Sequence, residues 1–232
     1  MDFSRRSYQP ELIDDLNLNE EALAQNLREL ERTNYWLGGN QVTIRGFKRL
    51  IGSKKTPLTV ADLGCGGGDM LLTLAKWLRK KRLNASLIGI DANAFMIDYA
   101  QQRTASFAEI RYEQQDVFSE TFKQQTFDVV MMTLFCHHFT DEQLLTLFKG
   151  LRQQARVGII INDLHRHWLA YYSIQVIAQL LGASYLYRHD SKLSVLRAFK
   201  RTELATLLSE AGFQHVQIRW RWAFRWEVVA WS

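Results

Sequence analysis

The 232-residue sequence predicts an α/β protein built on a doubly wound, mostly parallel β-sheet. Three observations carry that expectation. Short apolar runs alternate with amphipathic helical patterns from Leu58 onward, a glycine-rich turn follows the first run, and the C-terminal segment switches to strict period-two alternation. With 47% apolar residues, 12% aromatics and two prolines, the chain can fill one core of ordinary size, which excludes disordered and collagen-like classes.

The elements follow in chain order. Leu23, Leu27, Leu30, Trp36 and Leu37 approximate helical spacing over residues 20–37, with Asn19 as N-cap and Gly38-Gly39 as the stop. A second helix is predicted over residues 40–50, and residues 52–57 read as a linker. Residues 1–57 thus make an N-terminal helical cap, and residues 58–232 the main domain. Within it, strands are predicted at 59–63, 86–90, 110–113, 127–133 and 157–161, and helices at 69–80, 94–103 and 141–153. A helix over 202–211, capped by Thr202 and stopped by Gly212, precedes alternating Val216, Ile218, Trp220, Trp222, Phe224, Trp226 and Val228. Those residues predict two antiparallel strands turning near residues 222–224, with Trp220, Trp222 and Trp226 on one core-facing side.

Residues 167–187 contain no Asp, Glu, Lys or Arg and are nominally long enough to span a bilayer. Gln175 and Gln179 fall one turn apart on one face, and Ser173, Gly182 and Ser184 interrupt further, so the prediction is a lid or interfacial helix rather than a span. The lid insertion covers residues from about 163 to 200, and its apolar character leaves peripheral membrane contact open; no oligomer is assigned.

Twenty-nine Lys and Arg against 24 Asp and Glu give a net charge of +5 without any long basic run. The densest stretch, Arg79-Lys80-Lys81-Arg82, suits a helix C-terminus, and only residues 219–225 interleave basic with aromatic residues, so no nucleic-acid partner is expected. Cys65 and Cys136 have no CxxC spacing, and no apolar stretch follows the first residues, which predicts a cytoplasmic protein.

The glycine-rich turn reads Asp62-Leu63-Gly64-Cys65-Gly66-Gly67-Gly68-Asp69. Its glycines permit a tight turn and bring a ligand against backbone near a helix N-terminus. A dinucleotide fingerprint would want a small residue where Asp69 stands, and two carboxylates make a poor cradle for pyrophosphate. They suit a cationic ligand without phosphate, such as S-adenosylmethionine with its ammonium and sulfonium groups. Asp91, ending the second strand, is placed to accept ribose hydroxyls, and Asp116, after the third, to accept from an adenine amino group. Aspartate also favours caps and turns, but three acids at successive strand ends favour the ligand.

These residues resemble the class I S-adenosylmethionine-dependent methyltransferases. Residues 62–68 match the family's first motif, Asp91 its ribose-binding acid, Asp116 its adenine-binding acid and residues 127–133 its fourth-strand motif. The resemblance implies a Rossmann-like seven-stranded sheet with an antiparallel C-terminal strand, and S-adenosylmethionine as cofactor with S-adenosylhomocysteine as product. Its cofactor set here is Asp62, Gly64, Cys65, Gly66, Asp91, Ala92, Asp116, Val117 and Thr133, with Cys65 a small loop residue rather than a nucleophile. Tyr35-Trp36-Leu37-Gly38-Gly39 and Ile161-Asn162-Asp163-Leu164-His165-Arg166 resemble a bacterial subgroup assigned to quinone, polyketide or other small-molecule O-methylation.

Methyl transfer from a sulfonium is an in-line displacement, so alignment supplies much of the catalysis. A phenol, with pKa near ~10, also gains from a base. His138 is the first candidate, because related quinone-type enzymes carry a histidine at that strand end; His137 is second and His165 third. His137, His138, Asp163, His165 and His167 are chemically suited to a metal, but their spacing does not demand one and no metal ligands are assigned. Trp168, Tyr171 and Tyr172 are candidate substrate residues on the lid, joined by Tyr185. Tyr35 and Trp36 would close the far side, and Arg45 would meet the cofactor carboxylate. The acceptor expected is a small hydroxylated aromatic or quinone-like molecule, with carbon or nitrogen methylation as the alternative. A nicotinamide oxidoreductase is disfavoured by Asp69 and by the 25 residues from Gly66 to Asp91. A non-catalytic module docking through the C-terminal tryptophans is the competitor from another class.

Overall fold

The computed structural model describes residues 2–15, 18–52 and 57–232. Its seven strands are β1 (Leu58–Leu63), β2 (Ala85–Asp91), β3 (Ile110–Gln114), β4 (Phe127–Thr133), β5 (Ala155–Leu164), β6 (His215–Arg221) and β7 (Arg225–Trp231). They lie in the order β3-β2-β1-β4-β5-β7-β6. β1 through β5 run parallel, and β7 pairs antiparallel with both β5 and β6. The chain reverses direction across the sheet between β1 and β4, where α/β sheets open a crevice at their carboxyl ends.

Burial follows position in that sheet. β1 and β4 are central and covered on both faces, so Val129 through Met132 form an unbroken apolar run and Val60, Ala61 and Leu63 are buried around Asp62. On one face lie α6 (Asp141–Gln154) and α9 (Arg201–Glu210), which bury Leu144, Phe148, Leu151, Leu204 and Leu208. On the other lie α2 (Gly39–Ile51), α3 (Asp69–Lys81) and α4 (Ala94–Thr104), contributing Phe47, Leu71, Leu74 and Ile97. A single turn, α5 (Glu120–Lys123), sits between β3 and β4. The expected elements appear within a residue or two of their predicted ends, except that β5 extends two residues earlier and three later and that the charge-free segment 167–187, expected as one lid helix, is broken at residues 181–184 between two helices. Residues 53–56 of the expected linker lie outside the described residues.

Capping explains several boundaries. Asn19 Oδ1 accepts from the amides of Glu21 and Ala22 at the start of α1 (Glu20–Trp36). Thr140 and Gln143 form a reciprocal capping box on α6. The cap of α9 is Lys200 rather than Thr202: Glu203 reaches back to the Lys200 amide, drawing the first turn two residues earlier.

The C-terminal tryptophans depart from expectation. Trp226 is buried and donates from Nε1 to the Phe199 carbonyl at 2.9 Å, but Trp220 is 46% and Trp222 70% exposed. Strand β6 is the sheet edge, so alternation there does not imply two covered faces, and Trp222 sits in the turn beyond the ladder.

Between β5 and α9, α7 (Trp168–Leu180) and α8 (Tyr185–Arg197) pack against one another and α8 against α1. Ser184 Oγ donates to Glu29 at 2.6 Å, and the Tyr187 hydroxyl to Thr33 at 2.8 Å. Among the described residues no helix is long and apolar enough to cross a membrane. The N-terminal segment is stitched over the same end of the sheet. Arg6 Nε donates to the Arg197 carbonyl at 2.9 Å, and the buried Arg166 donates to Phe3, Ala198 and Glu203.

Candidate active site

The glycine turn after β1 owes its shape to close approach. Gly64 has φ +66° and a Cβ there would overlap the Phe135 ring; Gly68, with φ +73°, lies against the Tyr112 hydroxyl. The amides of Gly64 and Cys65 donate to the Ile90 carbonyl, and the Gly66 amide to Asp91 Oδ2 at 3.0 Å. The turn thereby locks onto the carboxyl end of β2 and leaves a cavity of about 570 Å³ above β1, β2 and β4.

Asp62, Gly64, Cys65, Gly66, Asp91, Ala92, Asp116, Val117 and Thr133 all line this cavity, as does Asp69. Its electrostatics are distinctive. Asp62 is 2% exposed, its Oδ1 has no hydrogen-bond partner, and burial, then the neighbouring Asp69 and Asp91, push its carboxyl well above the usual range. Burial also raises Asp69 and Asp91, against the donors Asn40 on the first and the amides of Asn93 and Gly66 on the second. Burial drives the Cys65 thiol up, so it stays protonated, as a loop residue rather than a nucleophile requires. Asp116 Oδ1 accepts from the Phe118 amide at 2.9 Å and shapes the rim. Three carboxylates around an orphaned oxygen fit a ligand that brings positive charge and donors, as an ammonium and a sulfonium do, and repel a pyrophosphate.

A second cavity of about 230 Å³ adjoins the first and is lined by apolar side chains including Leu134, Leu164, Ile174, Ile177 and Val195. Ile13, Leu30, Asn34, Leu134 and His138 belong to the walls of both. His138 therefore stands at the junction. Leu134, with φ +54°, bends the chain out of β4 into a single 3-10 turn, Cys136–His138, which presents both histidines. His138 Nδ1 lies 2.6 Å from Asp14 Oδ1, and His137 Nδ1 lies 2.7 Å from Asp163 Oδ1. Burial pushes Asp163 up, but the His137 ring and its hydrogen bond outweigh this and hold the carboxyl below its ordinary value. The buried Glu11, whose carboxyl burial raises to about 7, lies 3.5 Å from His137 Nε2.

Other candidates stand elsewhere. His165 lines neither cavity; its ring packs on Trp226 at 4.7 Å, and burial, helped by His167 and Arg166, drives its pKa down to about 4. Trp168 and Tyr172 are more than half exposed, and Tyr171 is buried against Phe3. α7 turns Ala170, Ser173, Ile174 and Ile177 to the second cavity, a face spaced three to four residues apart that leaves the three aromatics on other faces. Tyr185 is 75% exposed, and Tyr35 and Trp36 point outward at 81% and 73%; α1 meets the cavities through Leu27, Leu30 and Asn34 instead. Arg45 is exposed and outside both walls.

Several wall residues escaped the sequence reading. Glu11 and Asp14 come from the N-terminal segment, which carries no motif, and only folding brings them to the β4 end. Arg225, 3% exposed, donates to Asn34 Oδ1 at 2.6 Å, and burial lowers its pKa to about 10. Behind the walls, Asn162 within β5 donates to the Gly39 carbonyl and to Thr43, and Thr43 in turn meets Thr133 at 3.0 Å, tying α2 to the wall of the larger cavity.

Residues 60–158 match a family described as Methyltransferase domain. The chain is similar to a demethylmenaquinone methyltransferase of Lactobacillus johnsonii, 27% identical over 68% of each chain. It is similar also to a carboxy-S-adenosyl-L-methionine synthase of Helicobacter pylori, 24% identical over 70% of this chain and 71% of the other. Among solved structures, human N-acetylserotonin methyltransferase in complex with SAM superposes with a TM-score of 0.66 at 15% identity. That match covers 92% of this chain, which spans 56% of the human one.

Proposed function

We propose that this chain, an S-adenosylmethionine-dependent methyltransferase with the Rossmann-like fold of its class, methylates a hydroxyl oxygen of a small aromatic or quinone-like acceptor. S-adenosylmethionine in the larger cavity supplies an electrophilic methyl group. Asp62, Asp69 and Asp91 would hold its cationic and ribose groups, Asp116 and Val117 its adenine, and Gly64 and Gly66 would let it lie against the backbone. The observation that carries the reading is the junction: one imidazole, His138, backed by Asp14, belongs to both cavities.

The smaller cavity's walls favour a flat, lipophilic acceptor, and His138 is the group set to take the hydroxyl proton as the methyl arrives. Asp14 on Nδ1 fixes the tautomer and supports the imidazolium that forms. The name of the Lactobacillus relative supports a quinone-like acceptor.

The test is to incubate the protein with S-adenosylmethionine and a panel of catechols, hydroquinones and hydroxyquinones, and to locate the methyl group by mass spectrometry and NMR. Methyl on oxygen, with turnover reduced in His138→Gln, supports the reading. Methyl on carbon or nitrogen, or turnover indifferent to His138, overturns it.

A further inference from the structure

The smaller cavity holds more ligating chemistry than a single base requires. Glu11, His137 and His138 each line it, and one ligand atom from each lies within 4.8 Å of the others. Both imidazoles are already oriented. His137 turns Nδ1 to Asp163 and His138 turns Nδ1 to Asp14, which leaves Nε2 of each as the remaining donor. A carboxylate behind the far nitrogen is how metal-binding histidines are held in the ligating tautomer.

Glu11 supplies the independent observation. It is 5% exposed, and its Oε1 has no hydrogen-bond partner. The nitrogens that approach it are His137 Nε2 at 3.5 Å and Arg197 Nε at 3.8 Å. Arg197 is already committed, donating to the carbonyls of His137 at 2.9 Å and of His138 and Gln9 at 2.5 Å. An unsatisfied buried carboxylate oxygen is costly unless something cationic meets it. Glu11, Asp14 and Asp163 bring three carboxylates to the two imidazoles, a setting that favours a cation.

We propose that Glu11, His137 and His138 bind a divalent transition ion of the zinc class, with positions left open toward the acceptor cavity. Two imidazoles and one carboxylate suit first-row divalent ions and not magnesium or calcium, which want oxygen ligands throughout. Zinc–ligand bonds of about 2.0–2.1 Å put tetrahedral ligand atoms roughly 3.3 Å apart, so small rotamer shifts close the site. Three protein ligands and an open position are the pattern of a catalytic rather than a structural site. This set differs from the five residues the sequence suggested: Glu11 takes the carboxylate's place, Asp163 orients His137 from behind, and neither His165 nor His167 belongs to it.

The binding site stands apart from the reaction; its role rests on the reading above. An acceptor hydroxyl as fourth ligand loses its O–H proton to water and keeps the electron pair on oxygen, ready for the methyl. The ion then does what His138 does in the metal-free protein.

The test is to dialyse the full chain against a chelator and titrate it with cobalt(II), a coloured probe for such sites. One equivalent bound, with visible absorption that zinc abolishes, is expected. Glu11→Gln and His137→Gln should lose it, Asp163→Asn should weaken it by about ten- to hundredfold, and His165→Gln should leave it unchanged. S-adenosylmethionine binding, read on the same variants, certifies their fold, since neither Glu11 nor His137 lines the larger cavity. No cobalt bound by the wild type, or equal binding by the folded Glu11→Gln variant, overturns the proposal. Cobalt bound without any oxygen methylation would leave the site standing and sink the acceptor assignment instead.

Discussion

His138 Nδ1 and Asp14 Oδ1 lie 2.6 Å apart, although 124 positions separate them in the chain. Asp14 belongs to a 3-10 turn that Asp190 of α8 holds through the amides of Leu12 and Ile13, both at 2.9 Å. The residue that orients the junction imidazole is therefore itself fixed by the covering helices. Asp14→Asn keeps the shape and removes the charge. It should lower kcat by roughly ten- to hundredfold, the usual effect of losing an orienting carboxylate, with KM for S-adenosylmethionine little changed. Steady-state kinetics of the variant check it; equal losses in kcat and cofactor affinity would contradict it.

Asp62, Asp69 and Asp91 are all raised in the free protein, mainly by burial. A cationic cofactor favours their ionised forms, so binding should release protons. Affinity is then complete above the raised values and falls as pH drops through them. Calorimetry in buffers of differing ionisation enthalpy should detect the release. Asp91→Ala should weaken binding by about 1.5–3 kcal/mol, roughly ten- to hundredfold in Kd. A pH-independent Kd from 5 to 8 would remove these carboxylates from the cofactor's surroundings.

Gly64 and Gly182 both have positive φ, +66° and +59°, but only Gly64 faces a neighbour, the Phe135 ring; nothing lies within 4 Å of a Cβ on Gly182. Gly182→Ala should cost about 1–2 kcal/mol from the left-handed backbone alone. Gly64→Ala adds overpacking and should cost about 2–5 kcal/mol. Urea unfolding of the two variants measures the difference, and equal losses would mean that the ring moves aside freely.

His165 tests the electrostatics outside the site. Its folded pKa is near 4, below the unfolded value of about 6.5, so the unfolded chain binds the extra proton between those values. Stability from this group is therefore present above about pH 6.5 and lost as pH falls toward 4. His165→Phe should flatten the pH dependence of Tm in that window. A slope unchanged in the variant would show that other groups, such as the raised Glu11, govern it.

The sheet and the lining of the larger cavity were legible because their signals are local. Glycines, strand-end aspartates and apolar runs each sit within a few residues of the backbone they shape, and the nine candidate cofactor residues reach one cavity. The acceptor side was not legible in the same way. Glu11, Asp14 and Arg225 arrive from distant segments, and nothing in their local sequence distinguishes them from surface charge. The lid shows a different failure: a charge-free helix whose polar residues are Ser173, Gln175 and Gln179 gives too weak a periodicity to choose which apolar face meets the cavity. Its aromatics drew the prediction, whereas its small and branched residues meet the cavity.

That difference can be measured directly. Ile174 and Ile177 face the smaller cavity, while Tyr172 on the same helix is 52% exposed and lines neither cavity. Ile174→Trp would fill much of a 230 Å³ space, so it should raise the acceptor KM at least tenfold or abolish turnover, leaving S-adenosylmethionine affinity unchanged. Overpacking adds a stability cost of about 1–3 kcal/mol, small enough for the folded protein to be assayed. Tyr172→Ala should change neither constant. The reverse pattern, a silent Ile174→Trp with a defective Tyr172→Ala, would mean that the acceptor approaches over the outer face of α7 rather than beneath it.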